Sequence, residues 1–273
     1  MSKKTFYMLL SSLLILCLMP FVFYFFTRDL KEVVSNRDFS DIQQDSILYV
    51  ITDYNNINYY IDGQTEKGFQ YEMIKAFAES QHLKAVFILE NDLSTSIDKL
   101  KRGKADIVAR MVPITTDFRD DVAYTNPIIQ NKQILVQRTA VDNNGIPPIR
   151  SQIKLAGETL YVAKNSPYLQ RIHNLSEEIS DTIYVKEIPQ YDDEQLMIMV
   201  AMGEIDYAVC NERIINSNIK KYPQLDVRTE ISFTQNTAWL VRNQSPELLY
   251  TINKWLEEFK NTRVYRQICN RYL

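Results

Sequence analysis

Two segments of this chain, one hundred residues apart, follow one plan. LKRGKADIVAR occupies 100–110 and VAMGEIDYAVC occupies 200–210. Each passes from a helix end through a glycine, a polar residue, a small or apolar residue and an aspartate into an apolar strand. Any helix-to-strand corner looks like this on its own. Two of them at this spacing read as two similar α/β lobes.

The flanking pattern agrees. Short runs rich in β-formers stand at 47–52, 84–89, 105–110, 133–138, 159–164, 182–188, 206–210 and 237–242. Helical spacing fills 69–80, 92–103, a stretch from about Ser166, 192–202, 245–260 and 262–271. Strands alternating with helices predict an α/β fold with mainly parallel pairing. Residues 139–150 are turn-rich and interrupt the alternation once. In open α/β sheets ligands bind beyond the carboxyl ends of strands, so two lobes would face one site between them.

Composition removes several chemistries. The six glycines among 273 residues never approach a GxGxxG or Walker spacing, so a Gly-rich phosphate loop is excluded. His82 and His173 are far apart and no CxxC occurs, which argues against a metal site. No cofactor is expected. A net charge of -3 without a basic block argues against nucleic acid. Cys210 and Cys269 could pair or remain two free thiols.

Residues 5–26, TFYMLLSSLLILCLMPFVFYFF, carry no charge. At ~1.5 Å per residue they reach ~33 Å, enough to cross a bilayer core as one N-terminal transmembrane helix. The run ends in aromatics rather than in a small-residue cleavage site, so an uncleaved anchor is expected over a signal peptide. Lys3 and Lys4 place residues 1–4 in the cytoplasm and export the rest. Polar residues 27–45 read as a tether.

Several pieces in order resemble the family 3 extracellular solute-binding proteins. They are GFQYEMIKAFAE (68–79), KRGKADIVA, TTDFRDDVAYTNPI, LAGETLYVAKNSPY, MGEIDYAV and LVRNQSPELLYTINKWLEEF. The wording of YYIDGQTEKGFQYEM and KNSPYLQRI is similar to the binding domain of membrane-bound lytic transglycosylases. The lysozyme-like catalytic domain of those enzymes is not expected in this sequence. The resemblance implies a two-lobed periplasmic-binding-protein-like (type II) fold with a hinge. Lobe 1 would be 46–137 plus 234–273, and lobe 2 would be 138–233. Closure of the lobes on a ligand follows from that fold.

The resemblance also implies a site. Amino-acid receptors of the family hold a carboxylate with an arginine and an ammonium with an aspartate. Aligned without gaps, the arginine position is Phe118, with Arg119 beside it, and the aspartate position is Asn211. Both charged clamps are altered, which counts against a free α-amino acid as ligand. Tyr54, Tyr59 and Tyr60 follow the first strand, where the family places a stacking aromatic; packing tyrosines would look the same. Arg110 ends a strand and could supply the missing cation, or simply be solvated there. Asn165 and Ser166 begin an expected helix whose free N–H groups suit a carboxylate, though an ordinary N-cap would also read so. Trp239 and Trp255 are expected in the core, and Glu72 in a structural role.

The expected function is capture of a small polar ligand (peptide, amino-acid derivative or cell-wall fragment) by a binder anchored in the inner membrane and exposed to the periplasm. A transport or signalling membrane protein is its conceivable partner. The alternatives are an envelope scaffold, or a lyase-type enzyme using cleft acids such as Asp117 and Glu212.

Overall fold

The computed structural model describes residues 37–273 except Asp117 and Gln190. The expected anchor at 5–26 lies outside the described residues. Among those residues no helix is long and apolar enough to cross a membrane.

The expected tether ends earlier than 45. Residues Phe39–Asp45 form a helix, α1, closed at its start by a capping box between Asp38 and Asp41. Ile42 is wholly buried against the core, which contributes about 1.5–3 kcal/mol. Asp38 also accepts the backbone N–H groups of Glu247 and Leu248, so one carboxylate caps two helices. Seven residues with one fully buried side chain are too short for periodicity to reveal.

The chain continues through β1 (Ile47–Thr52), the hairpin β2 (Tyr60–Asp62) and β3 (Thr65–Lys67), α2 (Phe69–Ser80), β4 (Lys84–Leu89) and α3 (Leu93–Lys101). Next come β5 (Ile107–Pro113), β6 (Val122–Tyr124), β7 (Ile129–Asn131) and β8 (Gln133–Arg138). The second half holds β9 (Thr159–Ala163), α4 (Leu169–Glu178), β10 (Tyr184–Ile188), α5 (Asp193–Met202), β11 (Ala208–Asn211) and α6 (Glu212–Asn218). It closes with β12 (Leu225–Glu230), β13 (Gln235–Arg242), α7 (Pro246–Phe259) and α8 (Arg263–Tyr272).

Two sheets result. One has the order β4-β1-β5-β13-β6, with β7 also on β13; the other is β10-β9-β11-β8-β12. The parallel members are β1, β4 and β5 in the first and β9, β10 and β11 in the second. The crossover strands β13 and β8 run antiparallel to their neighbours, so pairing is more mixed than the alternation suggests. β8 pairs with β11 and β12. The expected lobe boundary after 137 therefore moves back to about Lys132, because β8 has its hydrogen-bonding partners in the second sheet. The two crossings are stitched together: the Ile231 N–H donates to the Gln133 carbonyl at 2.9 Å, and the Gln133 N–H donates to Ser232 Oγ at 3.0 Å.

Both tryptophans lie in the first lobe's core, stacked with ring centroids 6.4 Å apart. Trp239 Nε1 donates to Gln70 Oε1. Glu72 accepts from Arg271 and Tyr272, a structural role as expected. Cys210 and Cys269 are free thiols.

The internal echo has a physical counterpart. Gly103 and Gly203 both adopt left-handed backbone, at φ 70° and 77°, where each helix turns toward its strand. In each lobe an arginine at the end of a crossover strand then pins this corner. Arg242 of β13 donates to the carbonyls of Leu100 and Ala105 and pairs with Asp106 at 3.2 Å. Arg138 of β8 donates to the carbonyls of Val200 and Ile205 and pairs with Asp206 at 2.6 Å. The surroundings differ. Asp106 is 1% exposed and also contacts Arg37 and the Tyr49 N–H, whereas Asp206 is 70% exposed. Arg242→Met should therefore cost about 3 kcal/mol or more, by leaving a buried charge short of a partner. Arg138→Met should cost roughly 1–2 kcal/mol. Urea unfolding of both variants measures the difference, and equal losses would contradict the burial argument.

Candidate functional site

A cavity of about 130 Å³ lies between the two sheets. Its walls are the segments that follow the carboxyl ends of parallel strands, as sheet geometry requires. The first lobe contributes Asp53, Asn55 and Asn58 after β1, Asp92 after β4, and Arg110 and Met111 within β5. The second contributes Asn165, Ser166 and Tyr168 after β9, Asp192 and Asp193 after β10, and Asn211 at the end of β11.

The lobes touch around it. Asn165 Nδ2 donates to Asp92 Oδ2 at 2.7 Å. Asn211 Nδ2 faces Met111 Sδ at 3.8 Å. Ser217 Oγ donates to Asn56 Oδ1 at 3.3 Å. Asp92 is at once the N-cap of α3, accepting the Thr95 N–H, and the receiver of this cross-cleft bond. Burial opposes its ionisation, but the Thr95 N–H and the Asn165 amide outweigh it and hold its pKa below the usual value.

The floor of the first lobe is a polar turn. Asn55 Oδ1 accepts the N–H groups of Ile57 and Asn58, which folds the backbone back on itself. Asp53 accepts from the side chains of Asn55 and Asn58 and lies 3.8 Å from Arg110 Nε. Gly68 lets the start of α2 press against this turn: a Cβ there would sit 2.3 Å from the Asn58 carbonyl oxygen. In the second lobe Asp192 caps α5, accepting the N–H groups of Glu194 and Gln195. Burial raises its pKa. Asp193 is buried beside it, accepting the Asn211 N–H at 2.7 Å and the Tyr168 hydroxyl at 3.2 Å. Burial pushes its carboxyl up to about 7; Asp192 and Asp53 add to the shift, and its two donors oppose it.

Of the residues singled out by sequence, Arg110, Asn165, Ser166 and Asn211 line this cavity together. Tyr54, Tyr59 and Tyr60 do not. The Asn55 turn presents amides to the cleft, and the tyrosines lie away from it. Tyr54 is 47% exposed. Tyr59 is buried against Tyr71 and Phe87 and donates to Glu66, and Tyr60 begins the β2–β3 hairpin. Phe118 packs against the first lobe's core and borders a shallower pocket with Leu93 and Asn165. Arg119 is exposed and lines neither.

The expected helix at Ser166 begins only at Leu169. Asn165 is left-handed, its N–H donates to Glu187, and the Ser166 and Tyr168 N–H groups are bonded within the turn. That segment offers no free N–H row to an anion. Glu212 pairs with Lys132 at the crossing, 3.3 Å away, and lies outside the cavity; Asp117 is outside the described residues. Sequence reading missed Asp53, Asn55, Asn58, Asp192 and Asp193. The asparagine run after β1 and the Asp-Asp pair opening a helix were the available signals. Among the described residues no cluster of His, Cys, Asp or Glu is arranged to hold a metal.

The pattern of the bacterial extracellular solute-binding proteins, family 3, matches residues 47–273. The chain belongs to this family. Among curated relatives it is 29% identical over 234 residues to membrane-bound lytic murein transglycosylase F of Desulfosudis oleivorans, covering 85% of this chain and 49% of that protein. The same-named protein of Pseudomonas putida strain GB-1 is 24% identical over 233 residues, covering 85% and 47%. The chain thus spans about half the length of these relatives. Among solved structures, an ancestral arginine-binding protein bound to arginine superposes with a TM-score of 0.72 at 24% identity, covering 84% of this chain and 98% of that one. A Streptococcus pneumoniae ABC uptake transporter substrate-binding protein with bound histidine gives 0.74 at 16% identity, covering 86% and 95%. These likenesses establish the two-lobed periplasmic-binding-protein-like fold.

The buried Asp193 generates a pH prediction. Its native pKa of about 7 lies above the ordinary carboxyl value, so the native state holds this proton more tightly than the unfolded chain does. Its contribution to stability is therefore favourable below about pH 4 and is lost as pH rises toward 7, by an amount on the order of 4 kcal/mol. Asp193→Asn keeps an acceptor for Asn211 and Tyr168 but removes the titration. In urea unfolding at pH 4.5 and 8, the variant should gain on the wild type as pH rises. A constant difference would contradict the buried-acid assignment.

Proposed function

We propose that this protein is an extracytoplasmic solute-binding protein that captures a small polar ligand by closing its lobes. Residues 5–26 would hold it at the membrane, with residues 1–4 inside and the lobes in the periplasm. The observation that carries the reading is the cavity itself. It is lined by polar groups from both lobes at the carboxyl ends of their strands, and hydrogen bonds cross the cleft beside it. Arg110 is the group best suited to a ligand carboxylate. Its contacts within the protein, to Asp53 at 3.8 Å and to the Glu90 carbonyl at 3.4 Å, are long. Lytic transglycosylase relatives and amino-acid-binding structural neighbours make amino acids, short peptides and cell-wall fragments the first compounds to try.

The test is a thermal-shift screen of the full chain in detergent against those three classes. A ligand of the native state stabilises it by RT ln(1 + [L]/Kd), about 2.7 kcal/mol at one hundred times Kd. At least one class should raise Tm. Arg110→Met should weaken that ligand about tenfold or more, as loss of a buried charged partner does. No shift with any class would reject the reading.

A further inference from the structure

The charges lining the cavity are lopsided. Asp53 approaches from the first lobe, and Asp192 and Asp193 from the second. Electrostatic interaction links all three across the cleft. Arg110 is the single cation set among them. Glu194, on the same helix as Asp192, adds negative charge nearby. Lys164 is at the rim, exposed, and acts on Asp92, which Asn165 and the Thr95 N–H already hold. Asp53 and Asp192, with the titrating Asp193 behind them, therefore face one guanidinium. Bringing the lobes together on an empty cleft drives like charges toward each other in a partly water-free space, where repulsion is strong.

A second observation points the same way. Asn58 is 2% exposed and lines the cavity. Its Nδ2 donates to Asp53, but its Oδ1 is buried with no hydrogen-bond partner. A buried acceptor of this kind calls for a donor. The carboxylates call for donors as well. Among the inner lining groups Arg110 is the cation that can meet a ligand oxyanion.

We infer, on the basis of the solute-binding reading above, that the cleft selects a small amine whose ammonium groups outnumber its carboxylates. An ammonium between Asp53 and the Asp192–Asp193 pair cancels the repulsion that opposes closure, and its N–H groups reach toward Asn58 Oδ1. One carboxylate on the ligand is accommodated by Arg110. A second would add to the negative excess. Specificity thus arises because the charge of the ligand decides whether the lobes can close.

Calorimetric titration of the full chain in detergent at pH 7.5 tests this with four probes: L-lysine, cadaverine, L-glutamine and L-glutamate. L-Lysine should bind about tenfold or more tighter than L-glutamine, and L-glutamate weakest of all. Cadaverine should bind, and Arg110→Met should weaken L-lysine without weakening cadaverine. Asp53→Asn and Asp192→Asn should each narrow the gap between L-lysine and L-glutamine. The wild-type ranking decides alone if a variant fails to fold. L-Glutamine or L-glutamate binding as tightly as L-lysine would overturn the charge inference and leave the solute-binding reading standing. So would none of the four binding while a neutral or anionic compound raises Tm in the screen. No binding by any compound in either experiment would overturn both.

Discussion

An arginine at the end of each crossover strand holds this molecule together. Arg242 and Arg138 each reach back to the carbonyls of a helix-to-strand corner and to the aspartate that follows. The crossover strand is thereby fixed to the same corner that orients the neighbouring parallel strand. Both lobes solve the same joint in the same way. The solutions differ in depth. The first is buried and shared with Arg37, and the second is half open to water.

Between those edges the protein places polar groups that satisfy one another incompletely. Asparagine turns and helix caps account for most of them: Asn55 folds the β1 loop, Asp92 and Asp192 cap helices, and Asn211 caps α6. Local backbone geometry thus explains why these residue types occur at these positions. It does not account for the open acceptor on Asn58 or for the raised pKa of Asp193, which are features of the cavity as a whole.

The lobed α/β architecture was legible because it rests on periodicity and on a repeat, both properties of the string of residues. Arg110, Asn165 and Asn211 could be found because they sit at strand ends, whose positions follow from the strands. The tyrosines after β1 do not line the cavity; the turn held by Asn55 Oδ1, which accepts from Ile57 and Asn58, puts Asn55 and Asn58 there instead. The lobe boundary was placed five residues late, since nothing in QILVQR says which sheet will take it. Asp192 and Asp193 stand in the sequence only as the start of the helix at 192–202. Asp193 is held by Tyr168 and Asn211, both distant in sequence.

The double cap at Asp38 has a mechanical consequence. Residues 37 and 38 are riveted to the first lobe alone, through Asp106, the Arg242 and Ser245 side chains, and the first turn of α7. The start of the described chain is thus built into the first lobe. The second lobe joins it through the two crossings and through the hydrogen bonds that span the cleft.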